Sequence, residues 1–249
     1  MKTIAGLIIT FNEEKHIEEL INNISFVDQI IVIDSFSTDA TLEKIAKFSN
    51  VIVIQHKFKN FAEQRNFALK QVTQDWILFI DADERITKPL QKEIITTINS
   101  DTSISGYMIK RLFYFKNKRI RFSGFQTDTT YRLFKTNKVT YIQDKIVHEM
   151  PKIEGETGLL KNNMLHYSFD SAAHYKSKME HYAKLKALEL SKKRKTTNIF
   201  NLHFRPLYKF IVNYIFRLGF LDGKEGFTLC YLSAYGVYFR YKTLKTLNH

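Results

Sequence analysis

The chain has 249 residues, 44% hydrophobic and 25% charged, which suffices for a full core as one large domain or one domain with an appendage. Its 3 prolines and 9 glycines argue against long linkers, and the lone Cys230 excludes an intramolecular disulfide and a thiolate zinc site. The net charge of +13 is unevenly placed, with 11 basic against 14 acidic residues in 1–100 and 27 against 11 in 101–249, so the C-terminal part suits an anionic partner such as nucleic acid, anionic lipid or a phosphorylated substrate.

Thr3–Phe11 lacks the basic leader and cleavage site of a signal peptide, and Thr3–Thr10 reads as a first buried strand. Glu13–Ile24 follows with Ile17, Leu20, Ile21 and Ile24 at helical spacing. Gln29–Asp34 is a second strand, Asp39–Phe48 a helix and Val51–Gln55 a third strand. Phe61–Val72 is a helix, Trp76–Ile80 a fourth strand and Lys88–Ile98 another helix. Strands alternating with short helices predict a mostly parallel sheet with helices on both faces. Gly106–Phe115, Thr129–Lys135, Lys145–Glu149 and Gly158–His166 read as strands of an added mixed or antiparallel region.

From Ser171 onward the chain holds 15 basic and 4 acidic residues and turns helical, first over Ala172–Lys193. Pro206 suits the first turn of a helix over Leu207–Leu218. There Arg205, Lys209, Asn213 and Arg217 recur every four residues, opposite an apolar face that includes Leu207, Phe210, Tyr214 and Ile215. Phe227–Phe239 is a charge-free run of 13 residues, short of the roughly 20 that span a bilayer. Two uses fit this basic, aromatic-rich pair: lying in a membrane interface or packing on the rest of the protein. The expected division is a catalytic domain over 1–170, with halves 1–98 and 99–170, and a helical extension over 171–249.

Trp76–Glu84 (WILFIDADE) is an apolar run that ends abruptly in Asp81, Asp83 and Glu84. Two carboxylates about 4 Å apart repel by roughly 4 kcal/mol at an effective dielectric of 20. A hard divalent cation removes that cost. Three other polar segments fall at the ends of the early strands, where open α/β sheets bind ligands: Thr10–Glu14, Asp34–Asp39 and Gln55–His56. Asp34 can accept from a base N–H or a ribose hydroxyl, and Phe11 can stack on a base; as plain structure, Asp34 ends a strand and Asp39 caps a helix. Neither G-x-G-x-x-G nor G-x-x-x-x-G-K-[ST] occurs, which argues against dinucleotide oxidoreductases and P-loop enzymes.

TFNEE after the first strand, DSFSTDAT after the second, FAEQRNFAL before the fourth and FIDADE after it together resemble a family 2 glycosyltransferase. RLF (Arg132–Phe134), VHE (Val147–Glu149), LHYS (Leu165–Ser168) and GFLDGKEGF (Gly219–Phe227) extend the likeness to the subgroup that builds lipopolysaccharide cores. The resemblance implies a GT-A nucleotide-diphospho-sugar fold with Asp81 and Asp83 as its DxD motif. Asp83 would ligate Mn²⁺ or Mg²⁺, Asp81 would face the ribose or the metal shell, and His166 would complete that shell. Asp34 and Phe11 would take the nucleobase, with Thr10 and Glu13 in the same strand-end segment. Arg65 would sit near the nucleotide, its plain alternative being a surface ion pair with Glu63 or a nearby acid.

The resemblance also implies an inverting transfer of a hexose from a nucleotide-diphosphate sugar, most simply a UDP-sugar, to a hydroxyl of a lipopolysaccharide-core or lipid-linked glycan. Such a transfer needs a carboxylate base, which the VHE segment offers in Glu149, beside His148; Asp144 and Asp128 compete. The expected location is the cytoplasm, with peripheral attachment to the inner face of the membrane as an option. Two other classes fit parts of the sequence. A nucleic-acid-binding protein draws on the charge and on aromatics interleaved with Lys/Arg over Lys110–Phe125, and a nucleotidyltransferase on the similar sheet.

Overall fold

The first strand, β1 (Ile4–Thr10), is apolar along its whole length because both of its faces are buried. The computed structural model describes residues 1–142 and 151–248. They divide into two units, one of residues 1–111 and 129–166, the other of residues 112–128 and 167–249.

In the first unit β1 is followed by α1 (Ile17–Asn23), β2 (Gln29–Asp34), α2 (Thr41–Ile45), β3 (Val51–Gln55), α3 (Phe61–Leu69), β4 (Trp76–Phe79), β5 (Glu84–Ile86) and α4 (Lys88–Asn99). Then come β6 (Gly106–Phe115), β7 (Lys118–Arg119), β8 (Thr129–Lys135), β9 (Val139–Tyr141), β10 (Pro151–Ile153) and β11 (Thr157–Phe169), with the division between the units falling inside β6 and β11. The sheet order is β3-β2-β1-β4-β8-β6-β11-β5, β7 pairs with β6, and β9 and β10 form a separate two-stranded sheet. β1, β2, β3 and β4 run parallel, whereas β8 pairs antiparallel with β4 and β6, and β5 with β11. The sheet is thus parallel over β1–β4, whose successive strands are joined through helices, and β8 joins it antiparallel.

Alternate residues serve opposite faces. Ile4 and Ile8 of β1, Ile30 and Val32 of β2 and Trp76 and Leu78 of β4 join one core with Ile17, Leu20 and Ile21 of α1 and Leu90, Ile94 and Ile98 of α4. Ala5, Leu7, Ile31, Ile33, Ile77 and Phe79 join the other, against Ala62 and Ala68 of α3. Helix α1 starts four residues later than the periodicity predicts. The N–H groups of Glu13 and Glu14 are taken by Thr41 Oγ1 (2.8 Å) and Asp39 Oδ2 (3.2 Å), which holds 13–16 as a turn.

The second unit contains α5 (Ala172–Lys192), α6 (Arg205–Ile211) and α7 (Gly223–Leu247). Wider π-type turns flank α6 over Phe200–Phe204 and Val212–Phe216, and a 3₁₀ turn over Gly219–Asp222 leads into α7. The 13-residue apolar run is therefore the centre of a 25-residue helix. Among the described residues no helix is long and apolar enough to cross a membrane. Phe113, Phe115, Ile120, Phe169, Tyr175 and Leu229 form this unit's main core.

The GFLDGKEGF segment closes this unit. Asp222 is buried and accepts from Arg121 N (2.9 Å), Phe122 N (3.0 Å) and Ser123 Oγ (2.8 Å). A Cβ on Gly226 would overlap the Gly219 carbonyl and lie 2.7 Å from Asp222 Cβ. The obstacle is largely backbone, so it cannot rotate away. Gly226→Ala is expected to lower stability by about 3 kcal/mol, read as a drop in the denaturant midpoint.

Candidate active site

Strand β4 ends at Phe79, and the chain turns over 81–84 into β5. The turn closes through Glu84 N donating to the Asp81 carbonyl (3.0 Å) and Asp81 N donating to Glu84 Oε2 (3.1 Å). Pairing of β5 with β11 sets Glu84 opposite His166, which places the imidazole beside the acidic turn. Pairing of β4 with β8 sets Leu78 opposite Leu133, and so brings the preceding Arg132 to the same end.

Arg132 is 2% exposed and joins two carboxylates, Asp81 Oδ2 by a short contact and Glu84 Oε1 at 2.8 Å. Glu84 is fully buried, and Arg111 reaches its Oε1 at 3.3 Å. Arg65 reaches Asp81 Oδ1 at 3.4 Å and lies over the rings of Phe79 and Tyr141 at 5.1 and 5.2 Å. Burial alone would raise the Asp81 carboxyl, but the guanidiniums of Arg132, Arg65 and Arg111 outweigh it and hold the group well below the usual carboxylate range. Arg132, the burial cost again outweighed by Asp81 and Glu84, is held firmly protonated. Arg85 donates to the carbonyls of Ala82, Glu84 (both 2.7 Å) and His16 (3.1 Å), fastening the turn to the start of α1.

The acids of the turn thus have separate surroundings. Asp81 and Glu84 are matched to guanidiniums, whereas Asp83 Oδ2 lies 3.3 Å from His166 Nε2. That spacing is near the ~3 Å between neighbouring ligands of an octahedral ion at about 2.1 Å. A carboxylate with an imidazole is a donor pair that Mn²⁺ accepts, and Mg²⁺ less readily. Among the described residues no group of three or more His, Cys, Asp or Glu side chains could hold an ion. The pair therefore fits an ion that takes its other ligands from phosphate oxygens and water.

Glu13 belongs to the same field. Its carboxyl is pushed up to about 7, by burial first and then by Asp83, Asp81 and Asp39, with Arg85 opposing. A carboxyl whose folded value exceeds its ordinary 4.5 binds more protons when folded. Its contribution to stability is complete below about pH 4.5 and is lost as pH rises through 7. Between about pH 5 and 8, Glu13→Gln should therefore gain stability relative to wild type, measured by urea unfolding without divalent cations. A constant difference would place Glu13 outside this acidic field.

The loops after β1 and β2 interlock. Asn12 N donates to Ser37 Oγ (2.9 Å), Thr38 N donates to Asn12 Oδ1 (2.8 Å), and both Asn12 and Phe36 take left-handed backbone angles of 56° and 62°. Asp34 is fully buried beneath them and accepts from Ser37 N (3.0 Å), Ser37 Oγ (2.5 Å) and Gln55 Nε2 (3.2 Å). Its carboxylate therefore shapes the loop that a nucleoside would meet. Asp39 accepts from the Thr41 N–H (3.0 Å) and the Glu14 N–H (3.2 Å); the cap position of α2 is Ala40, so Asp39 ties the two loops rather than capping the helix. Phe11 is 55% and Phe36 51% exposed. The Thr10 hydroxyl, at the end of β1, is buried without a hydrogen-bond partner. Such a group costs about 1–3 kcal/mol and suits a ligand that completes it.

Arg65 pairs with a nearby acid, Asp81, while Glu63 takes Lys59 at 2.9 Å. His56 stacks on Phe67 at 3.8 Å and bonds Gln64 at 2.7 Å, a packing role. Glu149, Asp144 and His148 lie outside the described residues, as does the strand expected over Lys145–Glu149; Asp128 belongs to the second unit. Arg132, Arg111 and Arg85, which hold the acids of the turn, were not expected there. The available signal was a charge at an inward position of Thr129–Lys135, between Tyr131 and Leu133, which demands a buried counter-charge.

The model of the family described as Glycosyl transferase family 2 matches residues 7–155, which include the whole acidic turn. The chain belongs to that family. As a family 2 glycosyltransferase it is 31% identical to an uncharacterized glycosyltransferase of Rickettsia felis, over 98% of this chain and 90% of the relative. It is 26% identical to the lipopolysaccharide core biosynthesis glycosyltransferase LpsC of Rhizobium meliloti, over 96% of this chain and 93% of LpsC. A solved structure of glucosyl-3-phosphoglycerate synthase from Mycobacterium tuberculosis, with Mn²⁺ and UDP-glucose, is 26% identical over 45% of this chain and 44% of that one, at a TM-score of 0.38. Family membership makes the protein a glycosyltransferase and sets aside the nucleic-acid-binding and nucleotidyltransferase readings.

Proposed function

We infer that this glycosyltransferase moves a hexosyl group, with inversion, from a nucleotide-diphosphate sugar, most simply a UDP-sugar, to a hydroxyl of a lipopolysaccharide-core or lipid-linked glycan. The observation that carries the reading is the Asp83–His166 pair at 3.3 Å beside an Asp81–Glu84 turn neutralised by arginines. The name of LpsC supports the acceptor class.

Thr10, Phe11 and Asp34 take the nucleoside, the first through its unpartnered hydroxyl and the second through its exposed ring. Arg65 orients the diphosphate from the Asp81 side, where its Nε has no partner. Asp83 and His166 hold the divalent cation, and Glu13 adds negative charge to that field. A bound Mn²⁺ or Mg²⁺ supplies charge stabilisation to the leaving diphosphate. The acceptor hydroxyl oxygen bonds to the anomeric carbon from the opposite side while the bond from that carbon to the diphosphate oxygen breaks. The diphosphate keeps the electron pair, and the hydroxyl proton passes to the carboxylate of Glu149.

The test screens nucleotide sugars for metal-dependent thermal stabilisation, since a ligand raises apparent stability through its affinity. A UDP-hexose should stabilise most. Glu149→Gln should keep that stabilisation and lose transfer by about 10³-fold or more, given the 10²–10⁴-fold worth of a base. Full turnover would pass the role to Asp144 or Asp128.

A further inference from the structure

The helical segment around α6 exposes much of its apolar surface. Of its polar stripe, Asn213 is buried, while Arg205 and Arg217 remain exposed and Arg205 bonds the Tyr241 hydroxyl of α7. Lys209 is half-buried, with Arg217, Cys230 and Arg240 around it. Phe210 and Tyr214 of the expected apolar face are half-buried, but Phe204 is 55%, Tyr208 71% and Phe216 76% exposed, with Phe200, Leu207 and Ile215 also more than half exposed. An open groove of about 460 Å³ lies beside it, lined by Pro206, Leu207, Phe210, Tyr231 and Tyr238. Exposed apolar surface on this scale marks an interaction site.

Charge identifies the occupant. No Asp or Glu occurs between Glu189 and Asp222, whereas Lys192, Arg194 and Lys195 lie exposed just before the apolar stripe. A second copy seated on this face would bring two acid-free basic segments together. A nucleic acid would leave the phenyl and aliphatic side chains uncovered. We propose that the face formed by residues 199–218 docks on a lipid bilayer bearing anionic headgroups, with Phe204, Tyr208 and Phe216 entering the acyl boundary. Aromatic and aliphatic side chains flanked by Lys and Arg are the composition that this interface takes up. The proposal does not depend on the identity of donor or acceptor.

Flotation with vesicles of phosphatidylcholine, alone or with about 30% phosphatidylglycerol, tests it. Binding should be at least about tenfold stronger to the anionic vesicles and should weaken with salt. Phe216→Asp and Tyr208→Asp should each reduce it about tenfold or more with unchanged melting temperature, since both positions are solvent-exposed. In Phe216→Trp, lipids brominated on the acyl chain should quench a new fluorescence component that wild type, whose one tryptophan is the buried Trp76, lacks. Absence of flotation, or variants that float like wild type, would overturn the proposal. So would a wild-type dimer that Phe216→Asp converts to monomer, which would assign the face to a second copy.

Discussion

Arg132→Met should lower the unfolding free energy by about 3–5 kcal/mol, the cost of leaving a buried carboxylate without its partner. Glu84 is fully buried and keeps Arg111 at 3.3 Å, while Asp81 keeps Arg65 at 3.4 Å. For a chain of this size that corresponds to a fall in melting temperature of roughly 10 °C. The exposed pair Lys47–Glu18, at 3.4 Å, provides the control, since breaking it should cost less than about 1 kcal/mol. The sign with pH is also fixed. Asp81 is held below its ordinary 3.8, so its stabilisation is present above that value and is lost as pH falls through the folded value. The gap between wild type and variant should therefore narrow in strong acid. A loss below 1 kcal/mol at neutral pH would mean that the buried arginine is replaceable by packing alone.

Asp83→Ala should abolish transfer while leaving the fold in place. The carboxylate is partly exposed and pairs with His166 at 3.3 Å. Removing one ligand of a cation that stabilises a leaving diphosphate is expected to cost several kcal/mol of the barrier, or about 10³-fold in turnover. The variant should also lose stabilisation by Mn²⁺ with nucleotide in a thermal scan, while its melting temperature without ligand stays near that of wild type. Turnover like wild type would remove Asp83 from the metal site. The contrast with Arg132→Met is informative, because one change should damage the fold and the other the chemistry, although the residues serve the same turn.

The acids of that turn were visible in the sequence because a buried strand cannot continue into three charges. At the centres of two of the four early segments the polar groups are held by neighbouring side chains. Asp34 is satisfied by Ser37 and Gln55, and His56 by Gln64 and Phe67. Thr10 and Glu13 gained weight for the opposite reason, one carrying an unpartnered hydroxyl and the other a strongly raised carboxyl. The short strand β5 escaped notice because three residues carry no readable periodicity. Its pairing with β11 is nevertheless what sets His166 beside Asp83.

Sequence by itself determined the alternating strands and helices of the first unit, the acidic turn and the family. Those features follow from local patterns: continuous apolar runs for strands buried on both faces, helical spacing for the helices, and acids where a strand must end. Only the tertiary structure decided which charges meet. Arg132 lies 48 residues from Glu84, and their contact depends on the register of β8 against β4. The direction of the α6 stripe was decided in the same way. Periodicity divides a helix into two faces, but only packing against the rest of the unit determined that Lys209 and Asn213 turn inward while Arg205 and Arg217 stay exposed.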